Sequence, residues 1–136
     1  MIEFNNLTRN RINERKVLNL VDNFLKSYRI EGDISIAVIG DCRMRRINNS
    51  YRGKDKTTDV LSFVDLNEIL ISFQQIKRQA KKYNKKVMEE FNFILVHGLL
   101  HLCGYKDEKE LGRLEMIKLG NVFLDKYYKK NEKNKP

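Results

Sequence analysis

The sequence predicts a mixed fold, α+β or α/β, with three or four strands. Apolar side chains recur at a period of about 3.6 residues in several segments, which is the signature of amphipathic helices. Between these segments stand three short apolar runs rich in β-branched residues, which are typical of buried strands. The 136 residues contain no internal repeat and no linker-like stretch, so we expect residues 1–136 to form one domain.

The first half of the chain predicts a helix, a strand and a second helix. Residues 9–29 carry the first helical period, and Gly32 ends it. The run ISIAVIG (34–40) is short, apolar and β-branched, and it predicts a buried strand. The next segment starts at Asp41, a candidate N-cap, and stops at Gly53, so it predicts the second helix.

The second half predicts a strand pair followed by three helices. The runs 59–64 and 68–73 predict strands, and the short link between them suits a tight antiparallel connection. Helical periodicity returns in three segments, 74–84, 86–103 and 107–128. The middle one is apolar nearly all round after Phe91, which predicts packing on several sides. Residues 129–136 are expected to form a solvated basic tail.

Composition narrows the functional class. The net charge of +9 favours a nucleic-acid partner only weakly by itself, since lysine is abundant throughout the chain. The longest apolar stretch, about 93–103, is interrupted by two histidines, so no membrane span is predicted. The N-terminal residues lack the apolar region of a signal peptide. Two cysteines make no disulfide framework, and we therefore expect a cytoplasmic protein.

The only two histidines lie in the segment HGLLHLCGYKD (97–107). His97 and His101 are four residues apart, so on a helix they share one face and can reach one ion. Gly104 would end the helix and let Asp107 bring a third ligand to the same point. Two imidazoles and a carboxylate with open positions are typical of a hydrolytic zinc site. The alternative is a buried, hydrogen-bonded pair of core histidines.

The spacing of these residues resembles the zinc-binding helix of the zincin peptidases, including its glycine turn. In those enzymes a glutamate directly follows the first histidine and acts as general base. Here Gly98 occupies that position. The sequence therefore predicts a metal site on a zincin-like helix but argues against peptidase activity.

Two upstream blocks make a second resemblance more specific. Together with the histidine segment, NNSYRGKDKTTDVLSF (48–63) and EILISFQQIKRQA (68–80) resemble the YbeY family of bacterial rRNA-maturation endoribonucleases, over most of the chain and in the right order. In that family the helix motif ends in a third histidine, where this chain has Asp107. A carboxylate oxygen also binds zinc, at about 2.0–2.2 Å. Glu108 and Glu110 remain alternative third ligands.

The resemblance implies an α+β fold in which a small mixed sheet of three to four strands packs against about five helices. It implies one zinc ion per chain in a cleft and a role in RNA cleavage for Arg52, as a catalytic residue. A guanidinium suits bidentate binding of a phosphodiester. Four arginines within ten residues are candidates for RNA binding: Arg43, Arg45, Arg46 and Arg52. The alternative for the first three is a solvated basic helix face. Tyr51 and Ile47 share one side of the same predicted helix and are expected in the core.

By this resemblance the expected function is that of a zinc-dependent, single-strand-specific endoribonuclease. It would act in maturation of the 3′ end of the small-subunit rRNA and in ribosome quality control. The expected partners are rRNA and the small ribosomal subunit, without a membrane or a small-molecule cofactor. A ribosome-associated RNA-binding factor with a structural metal is the alternative.

Overall fold

The computed structural model describes residues 1–136, which form four strands and five α-helices. The strands are β1 (Ile2–Asn6), β2 (Ile34–Ile39), β3 (Val60–Phe63) and β4 (Glu68–Ser72). The helices are α1 (Glu14–Ser27), α2 (Asp41–Arg52), α3 (Phe73–Lys82), α4 (Val87–Leu102) and α5 (Glu110–Lys130). Short 3-10 turns cover Val64–Leu66 and Glu132–Asn134.

The strands form one mixed sheet in the order β1-β2-β4-β3. β1 and β4 both run parallel to β2, whereas β3 pairs antiparallel with β4 through the tight turn at Val64–Leu66. β3 is therefore an edge strand. The predicted α+β class, the small mixed sheet and the number of helices are confirmed. None of the helices combines the length and the apolarity needed to cross a membrane.

The sequence patterns did not predict the first strand, β1. Within β1 only Ile2 and Phe4 are apolar, and the strand forms because it pairs along the edge of β2. Helix α1 also begins later than predicted, since the Asn13 side chain caps it by accepting from the Lys16 backbone N–H at 3.2 Å. The preceding residues make a turn instead, in which the side chain of Asn6 donates to the Asn10 carbonyl.

Helix α4 is the centre of the packing. It contacts β3, β4, α1, α3 and α5, which explains why its sequence is apolar nearly all round. Gly98 lies close to the sheet, because a Cβ there would lie 3.1 Å from Val60 Cγ2 and 3.3 Å from Ile69 Cγ2. A side chain at this position would press on both of these neighbours. Because α4 carries both histidines, its packing on β3 and β4 fixes their position relative to the sheet.

Helix α2 differs from the prediction at its N-terminal cap. Its N-cap is Gly40, and the Asp41 side chain is directed to other partners: it accepts from Arg78 and Ser72. Gly53 ends the helix in the left-handed conformation, as predicted. The expectation that Tyr51 lies in the core is wrong, since the residue is 65% exposed.

The C-terminal residues are exposed at most positions, but they are also tied to the rest of the molecule. The Asn134 side chain donates to Asn19 Oδ1 at 3.0 Å and to the Tyr127 hydroxyl at 3.1 Å. The segment predicted as a solvated tail thus has hydrogen bonds to both α1 and α5.

Candidate metal centre

Three donor atoms meet where α4 ends. His97 Nε2 lies 3.1 Å from Asp107 Oδ2, and His101 Nε2 lies 3.2 Å from the same oxygen. The donor atoms of the three residues all fall within 4.8 Å of one another. The two rings are one helical turn apart and nearly perpendicular, with centroids 4.8 Å apart. The structure thus brings together the three residues that the sequence predicted as metal ligands.

The spacing and chemistry of these donors fit a zinc-sized ion. Tetrahedral zinc with bonds near 2.1 Å keeps its ligand atoms roughly 3.4 Å apart, close to the two separations between imidazole nitrogen and carboxylate oxygen observed here. His101 Nδ1 lies 3.0 Å from the Tyr105 carbonyl oxygen, which can only accept a hydrogen bond. Nδ1 therefore donates to this oxygen, so that in the neutral ring Nε2 has the lone pair that a metal needs, whereas in the protonated ring Nε2 donates to Asp107.

The loop after α4 is shaped to deliver Asp107. Gly104 has a φ of 99°, and its N–H donates to the His101 carbonyl, which reverses the chain. The first turn of α5 then closes on the loop at Gly112, where a Cβ would lie 2.4 Å from the Lys106 carbonyl oxygen. Gly112 was not singled out in the sequence, because only the tertiary contact reveals its role.

The two alternative third ligands lie outside the cluster. Glu108 lines the surrounding cavity and Glu110 begins α5, but neither belongs to the group of converging donors. Of the three candidates, Asp107 alone has a carboxylate oxygen within hydrogen-bond distance of both histidines.

The electrostatics of Asp107 also suit a ligand. Burial raises the pKa of its carboxyl, but hydrogen bonds from His97 and His101 and their charge lower it more, so the pKa is below the ordinary value. The carboxyl is thus kept in the anionic form, which is the form that binds a cation.

The site lacks the base of the zincin peptidases for a packing reason. The residue after His97 is Gly98, which faces Val60 and Ile69 rather than the cleft. The Ser62 hydroxyl also donates to the Gly98 carbonyl at 2.9 Å, which ties β3 to α4. A glutamate side chain at this position would start within 3.1–3.3 Å of side-chain atoms of Val60, Ile69 and Ser62.

The donors lie in an open cleft of about 780 Å³. Arg52, at the end of α2, lines this cleft, as does Asp59 before β3. Arg113, in the first turn of α5, is a second arginine in the lining that the sequence did not single out. The sequence feature that could have pointed to Arg113 as a residue of the cleft is its position shortly after the HGLLH segment.

The other arginines of the predicted cluster lie elsewhere. Arg43, Arg45 and Arg46 are exposed on α2, and none of them lines the cleft. Arg45 is paired with Asp55, with Nε 2.8 Å from Oδ1. The structure therefore separates Arg52, which lines the cleft of the donors, from the three other arginines of the helix, which do not line it.

Comparison with known proteins identifies relatives along most of the chain. The family profile described as endoribonuclease YbeY matches residues 3–128. Endoribonuclease YbeY of Nautilia profundicola is 35% identical over 134 residues, which cover 90% of this chain and 93% of the relative. The endoribonuclease YbeY of Mycoplasmopsis synoviae is 33% identical over 118 residues, or 76% of each chain. That of Thermodesulfovibrio yellowstonii is 38% identical over 105 residues, covering 65% of this chain and 66% of the relative.

A solved structure agrees in fold. The solution structure of TM1509 from Thermotoga maritima superposes with a TM-score of 0.71 and 21% identity, covering 98% of this chain and 93% of the other. At this identity the likeness shows the fold alone. The profile match and the curated relatives carry the family assignment. This chain belongs to the YbeY endoribonuclease family, which consists of metal-dependent hydrolases.

Proposed function

We propose that this protein is a zinc-dependent, single-strand-specific endoribonuclease that matures the 3′ end of the small-subunit rRNA and acts in ribosome quality control. His97, His101 and Asp107 would hold one zinc ion. The observation that carries the proposal is the convergence of these donors in a cleft that Arg52 also lines.

The donor set supports zinc as the metal. Two imidazole nitrogens and one carboxylate oxygen are ligands that zinc accepts, and a three-residue set leaves a position open for substrate or water. A zinc ion bound there would supply Lewis-acid chemistry close to neutral pH. The hydrogen bond from His101 Nδ1 to the Tyr105 carbonyl would keep the imidazole oriented toward the ion.

Arg52 is proposed to bind the scissile phosphate. A guanidinium offers two parallel N–H donors that match two phosphate oxygens, and its charge offsets the negative charge that develops as the diester is attacked. Arg113 lines the same cleft from a different helix and would bind a neighbouring phosphate. The exposed arginines Arg43, Arg45 and Arg46 would add attraction for RNA at longer range.

Family membership supports the substrate class, and the net charge of +9 agrees with it. The rRNA substrate, the small ribosomal subunit as partner and the cytoplasmic location are proposed from the same family resemblance. A single strand is the proposed form of the substrate, because side chains can reach the edges and faces of unpaired bases.

The proposal is tested with purified protein and matched single-stranded and duplex fragments of rRNA, with and without a chelator. We expect cleavage of the single strand only, lost on chelation and restored by zinc. His97→Ala and Arg52→Ala should each lower the cleavage rate at least about 100-fold, as loss of one charge-stabilising donor does. Arg15→Ala, which removes an exposed arginine from α1, is the control and should cleave normally. Cleavage that persists in His97→Ala would contradict the proposal.

A ribosome-associated RNA-binding factor is a second candidate, because the three donors join α4 to the loop before α5 and a metal there would brace the fold. This candidate predicts that His97→Ala lowers the melting temperature while RNA affinity survives. A folded His97→Ala protein that binds RNA but does not cut it would favour the enzyme.

A further inference from the structure

An aromatic pair, one exposed ring on one partly buried ring, lies beside the metal cleft. Tyr51, in the last turn of α2, is 65% exposed. Its ring meets that of Phe63, at the end of β3, with centroids 4.5 Å apart and planes at 71°. Phe63 packs on a small cluster of buried residues, so it holds the tyrosine from below while most of the tyrosine ring stays open to solvent.

The pair borders a small cavity of about 190 Å³. Arg52, two residues of β3 and the turn Val64–Leu66 form its other walls, and both end residues of the turn are more than half exposed. We call this cavity, with Tyr51 and Phe63, the aromatic subsite. Pockets for drug-sized ligands are about 300–1,000 Å³, so the aromatic subsite has room for one planar ring system.

The aromatic subsite is continuous with the metal cleft. Four residues line both cavities: Arg52, Leu61, Ser62 and Val64. A strand whose phosphate is bound by Arg52 therefore has an adjoining nucleotide within reach of the aromatic pair. This continuity argues for a part of the same substrate, rather than a separate partner, as the occupant.

The charge and polarity of the aromatic subsite select which part of the nucleotide enters. Asp65 lines the cavity, and its carboxylate disfavours a second phosphate there. Exposed aromatic and aliphatic side chains instead favour a flat, largely neutral group. Every nucleobase has such a face, and unpaired bases stack on tyrosine and phenylalanine side chains in proteins that bind single strands.

We propose that the aromatic subsite stacks one unpaired base of the RNA strand whose phosphate Arg52 binds. The inference rests on the proposed function, since it needs RNA in the cleft. It also supplies a physical source for single-strand specificity: a base held in a duplex cannot leave its stack to reach Tyr51 without the cost of unpairing. Tyr51 acts in this view as a specificity residue that contacts substrate.

The test measures binding of a short, end-labelled single-stranded RNA by fluorescence anisotropy, with the strand checked for integrity on a gel after each titration. Tyr51→Ala removes the ring, and Tyr51→Phe keeps it. Tyr83→Ala is the matched control. Tyr83 is likewise an exposed tyrosine near the C-terminal end of a helix, but it lines neither cavity. A second set of strands carries an abasic nucleotide at each position in turn. Melting temperatures verify that every variant is folded.

We expect Tyr51→Ala to bind the intact strand about tenfold more weakly, the loss typical of one base stacked on an aromatic ring. Tyr51→Phe and Tyr83→Ala should bind like the wild type. One abasic position should weaken binding by the wild type to a similar extent and should have no further effect on Tyr51→Ala. That loss of additivity is the signature of a stacked base, and a merely structural role for Tyr51 would not produce it.

Two results would overturn the inference. One is that Tyr51→Ala binds the intact strand as tightly as the wild type does. The other is that Tyr51→Ala weakens binding of the intact strand and of every abasic strand by the same factor. The outcome is distinguishable from that of the proposed function. Metal-dependent cleavage together with either result overturns the stacked base alone, whereas base-dependent binding through Tyr51 without any cleavage supports the stacked base and contradicts the nuclease.

Discussion

Asp41 and Asp107 both have hydrogen-bond partners on other elements, and the pKa of each lies below the ordinary aspartate value. The two carboxylates differ in the type of side chain that surrounds them. The Asp41 carboxylate accepts from Arg78 at 2.7 and 2.9 Å, from Ser72 at 2.8 Å and from Thr57 at 3.2 Å. The hydrogen bond from Arg78 is the main cause of its lowered pKa. Both oxygens of Asp41 therefore have protein donors, one of them a permanent cation.

The carboxylate of Asp107 is not surrounded by protein donors in this way. Its hydrogen-bond partners are His97 and His101, both through the single oxygen Oδ2. Two imidazoles can turn lone pairs toward the same point as the carboxylate, whereas an arginine can only donate. The difference separates a carboxylate that pins elements together from one that is available to a metal. Donor type, more than the lowered pKa, distinguishes the two.

The largest expected effect comes from changing Asp107 itself. We expect about one zinc per chain in the wild type, as for a three-ligand site, much less in Asp107→Ala, and recovery in Asp107→His because an imidazole can replace the carboxylate. Metal analysis after gel filtration measures this. Asp41→Ala is the matched control and should keep its zinc. Equal metal content in wild type and Asp107→Ala would remove Asp107 from the ligand set.

A smaller effect is expected from Gly112→Ala, which does not replace any of the three donor residues. The new Cβ would lie 2.4 Å from the Lys106 carbonyl oxygen, and because the obstacle is backbone, the loop that carries Asp107 must shift. We expect zinc affinity to fall about 10- to 100-fold, as when the support of a ligand is lost. Competition with a chromophoric chelator measures the affinity.

Gly120→Ala is the control for this change. It lies on the same helix, and its Cβ would meet Phe93 at an ordinary 3.8 Å. It should leave zinc affinity unchanged and stabilise the helix by about 0.5–1 kcal/mol. If Gly112→Ala binds zinc like Gly120→Ala, the close approach does not position Asp107.

The smallest effect concerns the acid stability that Asp41 provides. Because the pKa of Asp41 is lower in the folded protein than in the unfolded chain, its contribution is present above the unfolded value, about 3.9, and is lost as pH falls through the folded value. Asp41→Asn should therefore lower the free energy of unfolding near neutral pH and make its decline in acid shallower. Urea unfolding at a series of pH values measures both.

Asp55→Asn provides the comparison for Asp41. Asp55 is paired with Arg45 on the surface, where solvent screens the pair, so this change should be nearly silent at neutral pH. Parallel pH profiles of wild type and Asp41→Asn would mean that the Asp41 network does not contribute to acid stability.

Local sequence patterns predicted all five helices, the β3–β4 pair and the cluster of three candidate ligands. These features depend on short-range rules: the helical period brings His97 and His101 onto one face, and a left-handed glycine after the helix turns the chain toward Asp107. Where the pattern was short or polar, as in β1, prediction failed. That strand exists because the edge of β2 offers it backbone partners, and no property of residues 2–6 alone requires them.

The amino-acid sequence by itself determined the donor types, their spacing and the family to which the chain belongs. The tertiary structure decided how the site is enclosed: that Gly98 is a contact with β3, that Gly112 closes on the loop of Asp107, and that Arg113 reaches the same cleft as Arg52. It also decided that Tyr51 is exposed and that its ring contacts Phe63 at the end of edge strand β3. The physical reason is common to all of these: they depend on the approach of elements that are distant in the chain, and a periodic pattern encodes which face of an element is apolar but not what comes to lie against it.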